Sequence, residues 1–129
     1  MKKLLYRLVG SRKDRGKEGE ELACHYLRRR GFAIEARNYR CRYGEVDIVA
    51  RRGKTLVFVE VKSRGRTDYG FPQEAVDGRK QKRLRLVAQH FIQQQLRLSG
   101  DDCFFRFDVI AVIFRGEGEV QIDHIENAF

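Results

Sequence analysis

Asp47, Glu60 and Lys62 are the residues around which chemistry can be assembled. Glu60 and Lys62 end the stretch 55–64, Thr-Leu-Val-Phe-Val-Glu-Val-Lys-Ser-Arg, whose β-branched and aromatic members favour a pleated strand. Leu56 and Phe58 on one parity, with Val57 and Val59 on the other, imply burial on both faces. Residues two apart on a strand share a face, so Glu60 and Lys62 project side by side from a buried strand end. Charges so placed are costly unless paired or coordinated. The preceding segment 45–50, Glu-Val-Asp-Ile-Val-Ala, reads as a second strand. Arg51-Arg52-Gly53-Lys54 then forms a hairpin connection in which Gly53 takes φ > 0. With Ala50 paired to Thr55, Asp47 lies opposite Phe58 on the face of Glu60, about 7–8 Å or less from it. A one-residue bulge would turn Asp47 to the other face.

Two converging carboxylates suit Mg²⁺, which takes one or two of them and leaves room for water and phosphate. A lysine beside the metal would orient or help deprotonate an attacking water and offset charge in a phosphoryl transition state. The same trio would also make a structural ion-pair cluster, and spacing alone does not separate the two. Glu20 is a candidate third ligand. It lies about 100° from Gly19 on a helix whose apolar face is Gly19, Leu22, Ala23, Tyr26 and Leu27, on the flank able to reach a sheet edge. On spacing alone, a solvated glutamate at a helix start is the simpler reading.

The elements that must hold these residues fit one domain. The chain has 129 residues, 42% of them hydrophobic, and a single Pro. Residues 1–13 form a basic arm, either flexible or a short helix, and 14–129 a single domain. Asp14 is placed to cap the first helix, and Arg28-Arg29-Arg30 and Gly31 to end it. A strand at 32–39 precedes the hairpin. Residues 63–72 are rich in Gly, polar and basic side chains and leave the strand where the charges converge, as a flap would. A long helix is expected over 78–98, capped by Asp77, with Leu84, Val87, Ala88, Phe91 and Ile92 as its stripe and Gly100 closing it. Lys80 continues that stripe, either toward the charged cluster or snorkelling away from it. Strands over 104–114 and 120–125 complete the chain, with a turn at Gly116-Glu117-Gly118. Asp108 is a lesser ligand candidate that pairing with Arg106 would explain more simply.

A charge of +9, from 27 Lys+Arg against 18 Asp+Glu, points to a polyanionic partner, nucleic acid before other acidic surfaces. Arg40, Arg42, Arg64, Arg66, Arg79, Lys80, Lys82 and Arg83 are the candidate nucleic-acid contacts. Tyr39 and Tyr43, interleaved with Arg37, Arg40 and Arg42, could stack on bases. Cys24, Cys41 and Cys103 are too far apart for a zinc site. A reducing, cytoplasmic compartment fits them. The first ten residues start like a signal peptide, but Arg7 breaks the short apolar run, so secretion is not expected. No run approaches the ~18 apolar residues of a membrane span. His25, His90 and His124 share no spacing and receive no role.

Asp47 followed by Glu60-x-Lys62, with a helix carrying Glu20 before and a crossover helix after, resembles the restriction-endonuclease-like superfamily, especially Holliday junction resolvases. An ordered set of stretches resembles more narrowly the uncharacterised bacterial YraN-like family. These are Gly16-x-x-Gly19-Glu20, Gly44-Glu45-Val46-Asp47-Ile48-Val49, Phe58-Val59-Glu60-Val61-Lys62-Ser63-Arg64, Lys80, Arg106-Phe107-Asp108-Val109 and His124-Ile125-Glu126-Asn127-Ala128-Phe129. The resemblance implies an α/β, restriction-endonuclease-like fold with a mixed central sheet of about five strands flanked by helices. It implies Asp47 and Glu60 as metal ligands, with the Val61 carbonyl as a further donor, Glu20 as auxiliary ligand and Lys62 as catalytic lysine. The expected cofactor is Mg²⁺, with Mn²⁺ as its substitute. The expected activity is endonucleolytic cleavage of DNA, branched or junction DNA included, and a homodimer is implied by analogy with resolvases. Fold likeness does not confer activity. A nucleic-acid-binding module without catalysis and a protein-docking adaptor are the rival readings.

Overall fold

The computed structural model describes residues 2–7, 15–65, 76–100 and 102–129. The basic N-terminal segment, expected as an arm or short helix, contributes a strand, β1 (Lys2–Arg7). It pairs antiparallel with the last strand and so supplies partners to backbone groups that an edge would leave open. The helical spacing of Leu22, Ala23, Tyr26 and Leu27 becomes α1 (Arg15–Arg29). It starts before Gly19, the residue at which the periodicity begins. The capping expectation at Asp14 lies outside the described residues.

Strands β2 (Ala33–Cys41), β3 (Gly44–Arg52) and β4 (Thr55–Gly65) follow as two tight hairpins. The β3–β4 pairing differs from the expected one. Arg52 pairs with Thr55 and Ala50 with Val57, so the connection is only Gly53 and Lys54, with Gly53 at φ 62. The slip is two residues, and a slip of two leaves each paired side chain, from Ile48 to Arg52 and from Thr55 to Val59, on its expected face. The helix α2 (Gly78–Ser99) is capped as its sequence indicated: the Asp77 carboxylate accepts from the Lys80 N–H at 2.9 Å, and the Gly100 N–H donates to the Leu96 carbonyl at 2.8 Å. Strands β5 (Phe104–Gly116) and β6 (Glu119–Ile125) form the final hairpin. Of the expected flap, residues 63–65 extend β4, and the remainder, with Arg66, lies outside the described residues.

All six strands join one sheet in the order β1-β6-β5-β4-β3-β2. The pair β4–β5 is parallel, with α2 as the crossover, and the other pairs are antiparallel. On one face Ala23, Tyr26 and Leu27 of α1 pack on Ile48, Val57, Val59 and Ile110. On the other, Leu84, Val87, Ala88 and Phe91 of α2 pack on Val49, Leu56, Phe58 and Val109. The both-parity hydrophobicity of β4 is thus the signature of a central strand sandwiched between helices. This is an α/β architecture of restriction-endonuclease-like type. No helix among the described residues is long and apolar enough to cross a membrane.

Candidate metal and nucleic-acid site

The site lies where the sheet splits. The β3–β4 ladder ends at Ile48–Val59. Beyond it β3 stays with β2 as far as Cys41–Gly44, while β4 stays with β5 as far as Gly65–Phe114. The two central strands therefore diverge, and a fork opens between Asp47 and Val61. The Asp47 carboxylate spans it, accepting the Val61 N–H at 2.8 Å. Strand N–H groups lie in the plane of the sheet, so Asp47 points edge-on into the fork.

Asp47 sits at a local reversal shared by β2 and β3. Ala36 and Tyr39, three residues apart, both pack on the α2 side, as do Val46 and Val49. An odd separation on a regular strand would put each pair on opposite faces. Asn38, at φ 51, is in the left-handed region and absorbs the reversal.

The fork opens into a cavity of about 420 Å³ lined by Asp47, Glu60, Lys62, Lys80 and Arg83, with Gly44 and Glu45 at its rim. Lys80 points into the cluster: its Nζ lies 2.8 Å from Glu60 Oε2, and the Glu60 side chain is only 7% exposed. Burial foremost, then the negative charge of Glu60, pushes Asp47 up to about 6, against the pull of the Val61 N–H. Burial, then the neighbouring Lys80 amine, lowers Lys62. Burial also pulls Lys80 down, but contact with Glu60 and Lys62 outweighs it and leaves Lys80 above the usual lysine range. Asp47, Glu60 and Lys62 all line this one cavity.

The donor set fits a hard divalent cation. Two carboxylates face one polar cavity, and Asp47 resists ionisation because it is buried beside a second acid, a state that a cation would relieve. Glu20 does not line the cavity, although its negative charge reaches Asp47 and adds to the rise of that carboxyl. Its Oε1 accepts from Asn38 Nδ2 at 2.8 Å and pairs with Arg37 at 3.3 Å. Among the described residues no three His, Cys, Asp or Glu side chains gather as metal ligands. A helix-wheel argument could put Glu20 on the sheet-facing flank, but not anticipate that the Asn38 reversal places Arg37 and Asn38 beneath it.

The candidate nucleic-acid contacts divide. Lys80 and Arg83 line the cavity one turn apart on α2. Arg79 and Lys82 are exposed on the same helix. Arg40 is exposed and pairs with the rim residue Glu45 at 2.8 Å, and Arg42 covers the Tyr43 ring at 4.8 Å. Arg64 is half-buried, with an Nε that has no hydrogen-bond partner among the described residues. Gly44 and Glu45 also line the cavity, though residue type and spacing mark neither as a site residue. Gly44, at φ 139, needs a backbone that L side chains rarely adopt, and its neighbour Glu45 follows it along the rim.

The model of the uncharacterised protein family UPF0102 matches residues 19–112, a span that contains the whole cavity lining. This chain belongs to that family. A UPF0102 protein of Geobacter metallireducens is 50% identical over 117 residues, 91% of this chain and 93% of its own. Another, of Pelotomaculum thermopropionicum, is 46% identical over 123 residues, 95% of this chain and 100% of its own. A third, of Caldicellulosiruptor saccharolyticus, is 43% identical over 120 residues, 92% and 99% respectively. The narrow resemblance seen in the ordered motifs is borne out, in a family whose name carries no activity.

Two of the ordered motifs, 106–109 and 124–129, serve each other rather than the cavity. Asp108, fully buried, accepts from Arg106 Nε at 3.1 Å and from the Asn127 N–H at 3.1 Å, and contacts His124 Nε2 at 2.7 Å. His124 Nδ1 in turn contacts the Tyr26 hydroxyl at 2.8 Å. The Ala128 N–H donates to the Phe107 carbonyl at 2.8 Å and Phe129 stacks on Phe107. The simpler explanation of Asp108 holds, and His124, given no role from sequence, is a buried structural link between α1 and β5.

Proposed function

We propose that this protein is a divalent-metal-dependent phosphodiesterase acting on nucleic acid, DNA in the first instance, branched forms included. The observation that carries the reading is the set of two carboxylates and two lysines lining one cavity at the sheet fork. Asp47 and Glu60 would hold Mg²⁺ or Mn²⁺. When bound, that ion supplies Lewis-acid charge stabilisation at a phosphoryl oxygen and a more acidic water. The chain's own part is positional and electrostatic. The Val61 N–H fixes the orientation of Asp47. Lys62, its proton affinity lowered by burial and by Lys80, can share its amine with an incoming water while Lys80 holds Glu60 in place. Arg83, on the same wall, is placed to meet a phosphate oxygen.

One feature favours the rival reading of a binding module without catalysis: Glu60 already has a cationic partner in Lys80. The two are separated by incubating duplex, branched and single-stranded DNA, and RNA, with Mg²⁺ or Mn²⁺. Cleavage by the wild type, lost in Asp47→Ala and Lys62→Ala while binding persists, supports the phosphodiesterase. Tight, salt-sensitive binding with no cleavage of any substrate supports the module, and equal cleavage by all three proteins refutes the assignment of residues.

A further inference from the structure

Beside the charged cavity lies a second groove of different chemistry. It has a volume of about 320 Å³ and is lined by Arg42, Tyr43, Leu86, Gln89, His90 and Gln93. That volume falls within the ~300–1,000 Å³ range of ligand pockets. The lining combines two rings, two side-chain amides, a guanidinium and a leucine. Arg42 and Tyr43 are the two residues of the β2–β3 turn, closed by the Cys41–Gly44 pair. The groove is therefore the direct continuation of the cavity rim: Gly44 and Glu45 border the first, Arg42 and Tyr43 the second.

The helix wall is continuous in the same way. Lys80, Arg83, Leu86, His90 and Gln93 recur at intervals of three or four residues, so each neighbours the next in a row that winds around α2. The first two face the cavity and the last three the groove. At about 1.5 Å per residue, Gln89 lies about 9 Å along the axis from Arg83. The row thus passes from cations to amides and an aromatic ring within about the reach of one nucleotide.

The groove is also stiffened. His90 Nδ1 is held by the Tyr39 hydroxyl at 2.5 Å, and the His90 and Tyr43 rings meet edge to face at 6.4 Å. Aromatic rings offer a stacking surface to any base, and Gln amides match the donor–acceptor edges of bases. A row of cations leading to such a groove suits a phosphate followed by its base.

We propose that the groove between the β2–β3 turn and the second half of α2 holds an unpaired nucleobase adjoining the phosphate seated at the Asp47–Glu60–Lys62 cavity. The placement of that phosphate rests on the proposed function. The groove itself commits the substrate class to nucleic acid with at least one base out of the duplex stack, because a paired base cannot enter a side groove without leaving its helix. Overhangs, gaps and junction branch points qualify, and a continuous blunt duplex does not.

The test is binding by the full chain in EDTA, so that cleavage plays no part. Three DNAs are compared: a blunt duplex, the same duplex with a short overhang containing 2-aminopurine, and that overhang made abasic. The wild type is expected to bind the base-bearing overhang about tenfold more tightly than the abasic one, with quenching of the 2-aminopurine emission. Tyr43→Phe keeps the preference and Tyr43→Ala removes it. Leu86→Glu, which changes a half-exposed residue and spares the fold, also removes it by placing a carboxylate in the groove. Equal affinity for base-bearing and abasic overhangs, or an intact preference in Leu86→Glu, overturns the inference. A protein that shows the preference but cleaves nothing loses the phosphodiesterase reading alone. One that cleaves yet binds both overhangs equally loses only the base groove.

Discussion

Replacing Asp47 with Asn should stabilise the metal-free fold while destroying the site. The carboxyl titrates at about 6 in the folded chain against 3.8 ordinarily, for burial and for the nearby Glu60. Its folded value is raised, so the folded state holds the proton more tightly than the unfolded chain does. The ionised form is then a burden on folding that is absent below about pH 4, grows as pH rises toward 6, and is complete above 7. At 1.36 kcal/mol per pH unit the full burden is about 3 kcal/mol, and solvent access to the fork reduces it to about 1–2 kcal/mol. Asn keeps an oxygen that can accept the Val61 N–H, so the variant loses the charge and not the bond. The expected gain in melting temperature at about pH 8 in EDTA is about 4–8 °C, shrinking to nothing near pH 4. Mg²⁺ should raise the melting point of the wild type and not of the variant, because only a site that binds ligand gains by mass action. A variant that melts below the wild type at about pH 8, or a gain equal at both pH values, would refute the picture of an uncompensated buried carboxylate.

Other outcomes follow from the same geometry. Lys80→Met strands the nearly buried Glu60, so it should cost about 2–4 kcal/mol in urea unfolding, and the Lys80→Met/Glu60→Gln double variant should recover most of it. His124→Leu removes the link between Tyr26 and Asp108 and should cost about 2–4 kcal/mol by the same measurement, with DNA affinity unchanged. Arg83→Ala should weaken DNA binding and lower the slope of log affinity against log salt by about 1, read by fluorescence anisotropy across a salt series. Asp77→Ala deletes the α2 cap and should cost about 1 kcal/mol.

Much of the molecule was legible in local pattern. The helical stripe of α2 with Asp77 before it and Gly100 after it, the two-sided hydrophobicity of β4, and Glu60-x-Lys62 at its end are properties of neighbouring residues, which period and capping chemistry report directly. The faces of the paired residues Ile48 to Arg52 survived an error in register because the slip was even, whereas Asp47 meets Glu60 at the fork, beyond the last pair of the ladder.

Other features depend on partners far apart in the chain. The fork exists because β2 and β5 draw β3 and β4 apart after Ile48 and Val59, and nothing within residues 44–65 states where each strand will prefer its outer neighbour. Lys80 could have snorkelled outward, and Glu20 could have reached the cavity. Which of them did was decided by the positive φ of Asn38 and by the landing of α2 beside Glu60. Residue types and spacing thus determined which groups were available for chemistry. The divergence of two strands decided which of them share a cavity, because a side chain's reach is a few ångströms and only packing brings distant segments within it.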